Sequence, residues 1–83
     1  MQGDLMSFAK AIKDIRQQCF LSQNAFATEL GVSFSTVNRW ETGKTVPNCM
    51  MMKRIVDFCK DQEIDYHMAD EAWKESRNDL YSH

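Results

Sequence analysis

Apolar residues recur along this chain at steps of three and four, the period of helices packed on one side. Leu5, Phe8, Ile12, Ile15 and Cys19 form the first stripe and predict a helix from Asp4 or Ser7 to Cys19. Lys10, Lys13, Asp14 and Gln17 fall away from that stripe, whereas Arg16 borders it, close enough to a core to need a partner. Ser22 suits the N-cap of a short second helix in which Ala25, Phe26 and Leu30 look inward, and Gly31 ends it by taking positive φ without steric cost. Ser33 caps a third helix that stops near Thr42-Gly43. Pro47 and Asn48 mark the start of a fourth, with Met51, Met52, Ile55, Val56, Phe58 and Cys59 as its apolar face. Asp65 is expected to cap a fifth from about Tyr66 to Arg77. Tyr66, Ala69 and Trp73 share one side of it, which either closes the core or meets a second subunit. No strand-like alternation, repeat or low-complexity linker interrupts the pattern, so the fold class is all-α, a compact bundle of four to five helices.

The third helix faces two ways. At about 100° per residue, Thr36, Val37 and Trp40 gather on one side and Phe34, Ser35, Asn38, Arg39 and Thr42 on the other. That second stripe carries amides, hydroxyls and a guanidinium but no carboxylate, which suits a surface meeting something anionic.

Charge sharpens this picture. The formal net charge is −2, yet residues 1–60 hold eight basic and five acidic residues, a net +3, and residues 61–83 hold two and seven, a net −5. The acidic end is a solvated helix face or loose tail, or else it touches a protein partner or tempers non-specific DNA binding. Eighty-three residues fit one domain with no room for a sensor domain. Residues 1–65 form its core, and residues 66–83 a C-terminal helix and acidic tail, a candidate dimerisation or partner-binding element of the same domain. Met1 and the ending NDLYSH are compatible with a complete small protein, and an excised domain of a longer one is the alternative.

Cys19, Cys49 and Cys59 are odd in number, lack a Cys-x-x-Cys pair and lie among apolar residues. They read as small core hydrophobes in a reducing compartment, and no spacing supports a zinc site with His67 or His83. The run CMMM reads as flexible core filler rather than a metal or redox site. No segment approaches the roughly 20 apolar residues of a membrane span and no signal pattern opens the chain, so a cytoplasmic protein is expected.

Two short helices joined by GVS, with Ala27 where they come closest and Val37 inward on the second, satisfy a helix-turn-helix. The longer run LSQNAFATELGVSFSTVNRWETGKTVPN closely resembles the phage-repressor, Cro/CI or Xre-type, family of helix-turn-helix domains. The resemblance spans roughly residues 7 to 70 and rests on Leu21-Ser22-Gln23, Ala27, Gly31-Val32-Ser33, Trp40-Glu41, Gly43-Lys44 and Pro47.

That resemblance implies a recognition helix, about 33–42, in the DNA major groove, with Ser33, Phe34, Ser35, Asn38 and Arg39 facing base edges or nearby phosphates. Arg39 matches two acceptors of guanine, Asn38 matches adenine, and a serine serves either. Phe34 either presses on a thymine methyl group or packs sideways on its own helix. Gln23, at a helix N-terminus, is implied as a phosphate contact, as are Lys44 and Thr45 beyond the recognition helix. The bland alternatives are that Gln23 fills a helix end and Lys44 is a solvated loop charge. Glu41 lies beside the buried stripe, and the resemblance pairs it with Arg16 as a structural ion pair.

No Gly-rich phosphate loop, nucleophile–base motif or paired ligand set is present, so neither an enzyme nor a cofactor or metal is expected. The leading function is a sequence-specific double-stranded DNA-binding regulator of bacterial or phage origin, a repressor acting as a homodimer. The alternative is a protein-interaction module such as an antitoxin or adaptor, favoured by Phe34 and the acidic tail.

Overall fold

Three helices start where a side-chain oxygen meets backbone N–H groups that lack partners. Ser22 Oγ accepts from the Ala25 N–H at 3.0 Å, Ser33 Oγ from Thr36 at 3.2 Å and Asn48 Oδ1 from Met51 at 2.9 Å. The computed structural model describes residues 5–81, with side chains through Ser76. Its five helices are α1 (Leu5–Gln18), α2 (Gln23–Leu30), α3 (Phe34–Glu41), α4 (Cys49–Gln62) and α5 (His67–Tyr81). Asp4 and His83 lie outside the described residues, as do the side chains of the tail from Arg77 onward.

The turn that orients α3 against α2 depends on Gly31, at φ 74°. Its N–H reaches the Thr28 carbonyl at 3.2 Å and the following Val32 N–H reaches Ala27 at 3.0 Å, closing the end of α2. α1 and α4 close in the same left-handed way without glycine, at Phe20 and Glu63, each with φ 58°. In both cases the next residue, Leu21 or Ile64, packs against the core.

Every helix contributes to one core: Phe8, Ile12 and Ile15 from α1, Phe26, Ala27 and Leu30 from α2, Val37 and Trp40 from α3, Met52, Ile55 and Cys59 from α4, and Ala69 and Ala72 from α5. Phe26 meets Phe58 edge to face with ring centres 5.6 Å apart. α1 is central, packing against both α3 and α5.

α5 begins one residue later than expected, because the Tyr66 carbonyl accepts its first helical bond from Asp70 while Asp65 Oδ1 accepts from the His67 N–H. It also continues beyond Arg77, to Tyr81. Its apolar side closes the core: Tyr66 and Trp73 pack against it, and Trp73 Nε1 donates to the Pro47 carbonyl at 2.6 Å, fastening α5 to the loop before α4.

Two expectations about sulfur need correction. Only Cys59 is a core cysteine; Cys19 is half-buried, and Cys49, the first residue of α4, is exposed. Of the methionine run, Met52 is buried, Met51 half-buried and Met50 is 71% exposed, since successive helical residues point about 100° apart.

Burial, with a smaller contribution from Cys19, pushes the Cys59 thiol up to about 11. At pH 8 such a thiol is roughly one part in a thousand thiolate, the reactive form. In a short maleimide pulse at that pH, Cys49 is labelled first and Cys59 only after unfolding. Peptide mass spectrometry reads the order, and native labelling of Cys59 as fast as Cys49 would refute its burial.

Candidate nucleic-acid interface

α3 has eight residues, too short to hold its shape without tertiary support. Val37 and Trp40 anchor its inner side, leaving Ser33, Ser35, Arg39 and Thr42 exposed and Phe34 at 49% exposure. Half of the Phe34 surface is thus covered and half is open. Among the described residues no ion pair restrains Arg39. The Thr42 hydroxyl is turned back onto the Asn38 carbonyl at 2.9 Å.

The sole carboxylate of α3 is withdrawn from this surface. Glu41 takes a two-pronged contact from Arg16, with Nε to Oε2 at 2.7 Å and Nη2 to Oε1 at 2.9 Å. Their side chains are only 12% and 3% exposed. Arg16 also donates through Nη1 to the Leu21 carbonyl at 2.8 Å, so one guanidinium joins α1, the α1–α2 turn and α3. Its hydrogen bond to Glu41, opposed by the cost of burial, holds the Arg16 pKa above its usual value.

The pair extends toward the exposed face. Gln23 Nε2 donates to Glu41 Oε1 at 3.0 Å, and Asn38 Nδ2 donates to Gln23 Oε1 at 3.3 Å. Gln23 therefore joins α2 to α3, and both amides are half-buried, each with one N–H uncommitted to this chain of bonds. Lys44 and Thr45 lie in the loop that folds back over the end of α3, their N–H groups reaching the Arg39 carbonyl at 2.9 and 3.4 Å. Lys44 is exposed and Thr45 half-buried.

The structure thus brings Gln23, Asn38, Glu41 and Arg16 into one continuous network and leaves Ser33, Phe34, Ser35, Arg39 and Lys44 accessible. On the opposite flank of α3 lies a groove of about 430 Å³ whose lining includes Arg39, Trp40, Met50 and Arg54 and no acidic residue. Arg54 was not visible as part of this surface from sequence. Its Nη1 donates to the Leu30 carbonyl at 3.3 Å, a contact across the turn that α4 periodicity does not encode.

A family model described as helix-turn-helix matches residues 12–66. Type II methyltransferase M.SsoII of Shigella sonnei is 36% identical over 55 residues, spanning 63% of this chain and 14% of the methyltransferase. No solved structure gives a significant match.

Removing Glu41 strands a nearly buried guanidinium. Glu41→Ala is expected to cost about 3–5 kcal/mol of stability, read by urea unfolding. An Arg16→Met/Glu41→Leu double substitution recovers most of that loss, because no unpaired charge remains. A single-substitution cost below about 1 kcal/mol, the range of exposed pairs, would show that the pair is not structural.

Proposed function

Because the chain belongs to the Cro/CI (Xre-type) helix-turn-helix family of DNA-binding domains, we propose that it is a sequence-specific regulator of transcription that lays α3 in the DNA major groove and represses. The observation that carries this reading is the charge of the α3 surface: Arg39 is exposed without an ion pair among the described residues, while Glu41 is only 3% exposed against Arg16. A helix so arranged offers donors and hydroxyls to bases and no negative charge to phosphates.

Arg39 reads guanine through O6 and N7, Asn38 reads adenine, Ser33 and Ser35 adapt to either, and the open half of Phe34 meets a thymine methyl group. Gln23, through its remaining N–H, and Lys44 and Thr45 hold the phosphate backbone and set register. Two copies bind half-sites about 34–36 Å apart, as dimeric helix-turn-helix proteins do. Tyr66 and Trp73 are partly buried against the core, and the homodimer meets through the part of the last two helices that stays open. The reading assigns the chain no catalytic step and places it in the bacterial cytoplasm, with a bacterial or a phage origin. Among the described residues, no helix is long and apolar enough to cross a membrane.

One observation favours the second reading, a protein-interaction module such as an antitoxin or adaptor: Phe20, at the α1–α2 turn, is 95% exposed. An aromatic ring so placed suits a protein partner, as does the acidic C-terminal region.

Fluorescence anisotropy on duplexes selected from a random pool, at several salt concentrations, separates the readings. The wild type is expected to enrich one sequence, with affinity falling steeply as salt rises. Arg39→Ala loses discrimination at one guanine by about 5- to 150-fold, the worth of a two-pronged base contact, and retains the salt-sensitive background. Absence of DNA binding at low salt would sink the DNA-reading proposal and favour a protein partner.

A further inference from the structure

The bonds from Arg16 to Asn38 have a direction that chemistry alone imposes. Glu41, ionised against Arg16, can only accept. The end of Gln23 that faces Glu41 must therefore be its NH₂ group, which turns Oε1 toward Asn38. That oxygen also only accepts, so Asn38 must face it with Nδ2. Reversing either amide would set oxygen against oxygen in a half-buried site.

We infer that Glu41 is a specificity-determining positioning residue: through Gln23 it fixes which way round Asn38 presents its amide to a base. The inference rests on the base-reading role proposed above for Asn38. With one N–H held by Gln23, Asn38 keeps Oδ1 and a second N–H, the pair of groups that adenine recognition uses at N6 and N7. Guanine carries an acceptor, O6, where adenine carries the N6 donor. A locked Asn38 therefore confronts guanine with Oδ1 against O6, whereas an unlocked one has both N–H groups free and turns its NH₂ group onto O6 and N7, donating to each. Rejection of guanine thus comes from the lock rather than from Asn38 alone. Glu41 acts here without touching DNA, and Gln23 combines this duty with its phosphate contact, using different hydrogens.

The test uses the full chain and the duplex it selects. The base pair read by Asn38 is first identified as the one whose preference Asn38→Ala abolishes. Binding is then compared between adenine and guanine at that pair for wild type, Gln23→Met and Glu41→Gln, with thermal melting of each protein as the folding control. The wild type is expected to favour adenine by about fivefold or more. Gln23→Met breaks the relay and leaves the Arg16–Glu41 pair intact. It binds all duplexes more weakly through the lost phosphate contact, and its adenine-to-guanine ratio falls toward one. Glu41→Gln can face Gln23 with either end of its own amide, so its ratio falls likewise.

Loss of a phosphate contact or of stability lowers binding to both duplexes and leaves their ratio unchanged. A wild-type ratio retained in Gln23→Met overturns the inference, even if Glu41→Gln fails to fold. If Asn38→Ala changes no base preference, the base-reading role itself fails and the inference with it. If Asn38→Ala does change one while Gln23→Met keeps the wild-type ratio, only the relay is wrong.

Discussion

The structure depends on one ion pair between the last turn of α1 and the last residue of α3. Arg16 and Glu41 lie 25 positions apart and meet at 2.7 and 2.9 Å with little exposure. Burying two charges has a desolvation cost that their attraction can fail to recover, so such a pair is poor evidence for stability as such. What it supplies is position. Through its third contact to Leu21, and through Gln23 on Glu41, it fixes the α1–α2 turn, the start of α2 and the end of α3 in one frame. A pair of leucines could fill the volume but would carry no direction and bind no glutamine.

That frame matters because the two helices of the motif are short. α2 and α3 have eight residues each, below the length at which a helix holds in water unaided. Their ends are held by Ser22, Gly31 and Ser33, and their inner sides by Phe26, Ala27, Leu30, Val37 and Trp40. The α1–α3 packing and the ion pair then set the angle at which α3 is presented. Rigid packing beneath an adaptable polar surface is the arrangement a reader of base edges needs, since a base contact tolerates little displacement.

Much of this was legible in the sequence, for local reasons. Caps at Ser22, Ser33 and Asn48, the positive-φ turn at Gly31 and the apolar stripes all depend on neighbours within four residues, which the chain order displays directly. The pairing of Arg16 with Glu41 came from family resemblance, because nothing local joins positions 25 apart. Three features were not readable. Cys49 and Met50 are apolar by composition, yet they occupy the first turn of α4 on its open side. Phe20 and Glu63 take left-handed backbone where glycine is usual, so no residue type announced those turns. The link from Gln23 to Asn38 requires knowing that α2 and α3 lie side by side, and sequence places each amide only on its own helix.

The net charge of −2 conceals how a polyanion could be approached. Exposed charges act over a Debye length, about 8 Å at physiological salt, while the molecule extends 38 × 25 × 20 Å. Its surface therefore behaves as separate electrostatic districts. On α5, Asp70 is paired with Lys74 at 3.1 Å, and Glu71 and Glu75 line a groove against α1 with Lys10 and Asp14. None of them lines the groove beside α3, where Arg39 and Arg54 are the charged residues. On α3 itself the balance is set by Arg16, which cancels Glu41 from behind. An acidic chain can thus offer a basic surface, provided that the one carboxylate on the helix presenting it has a cation of its own.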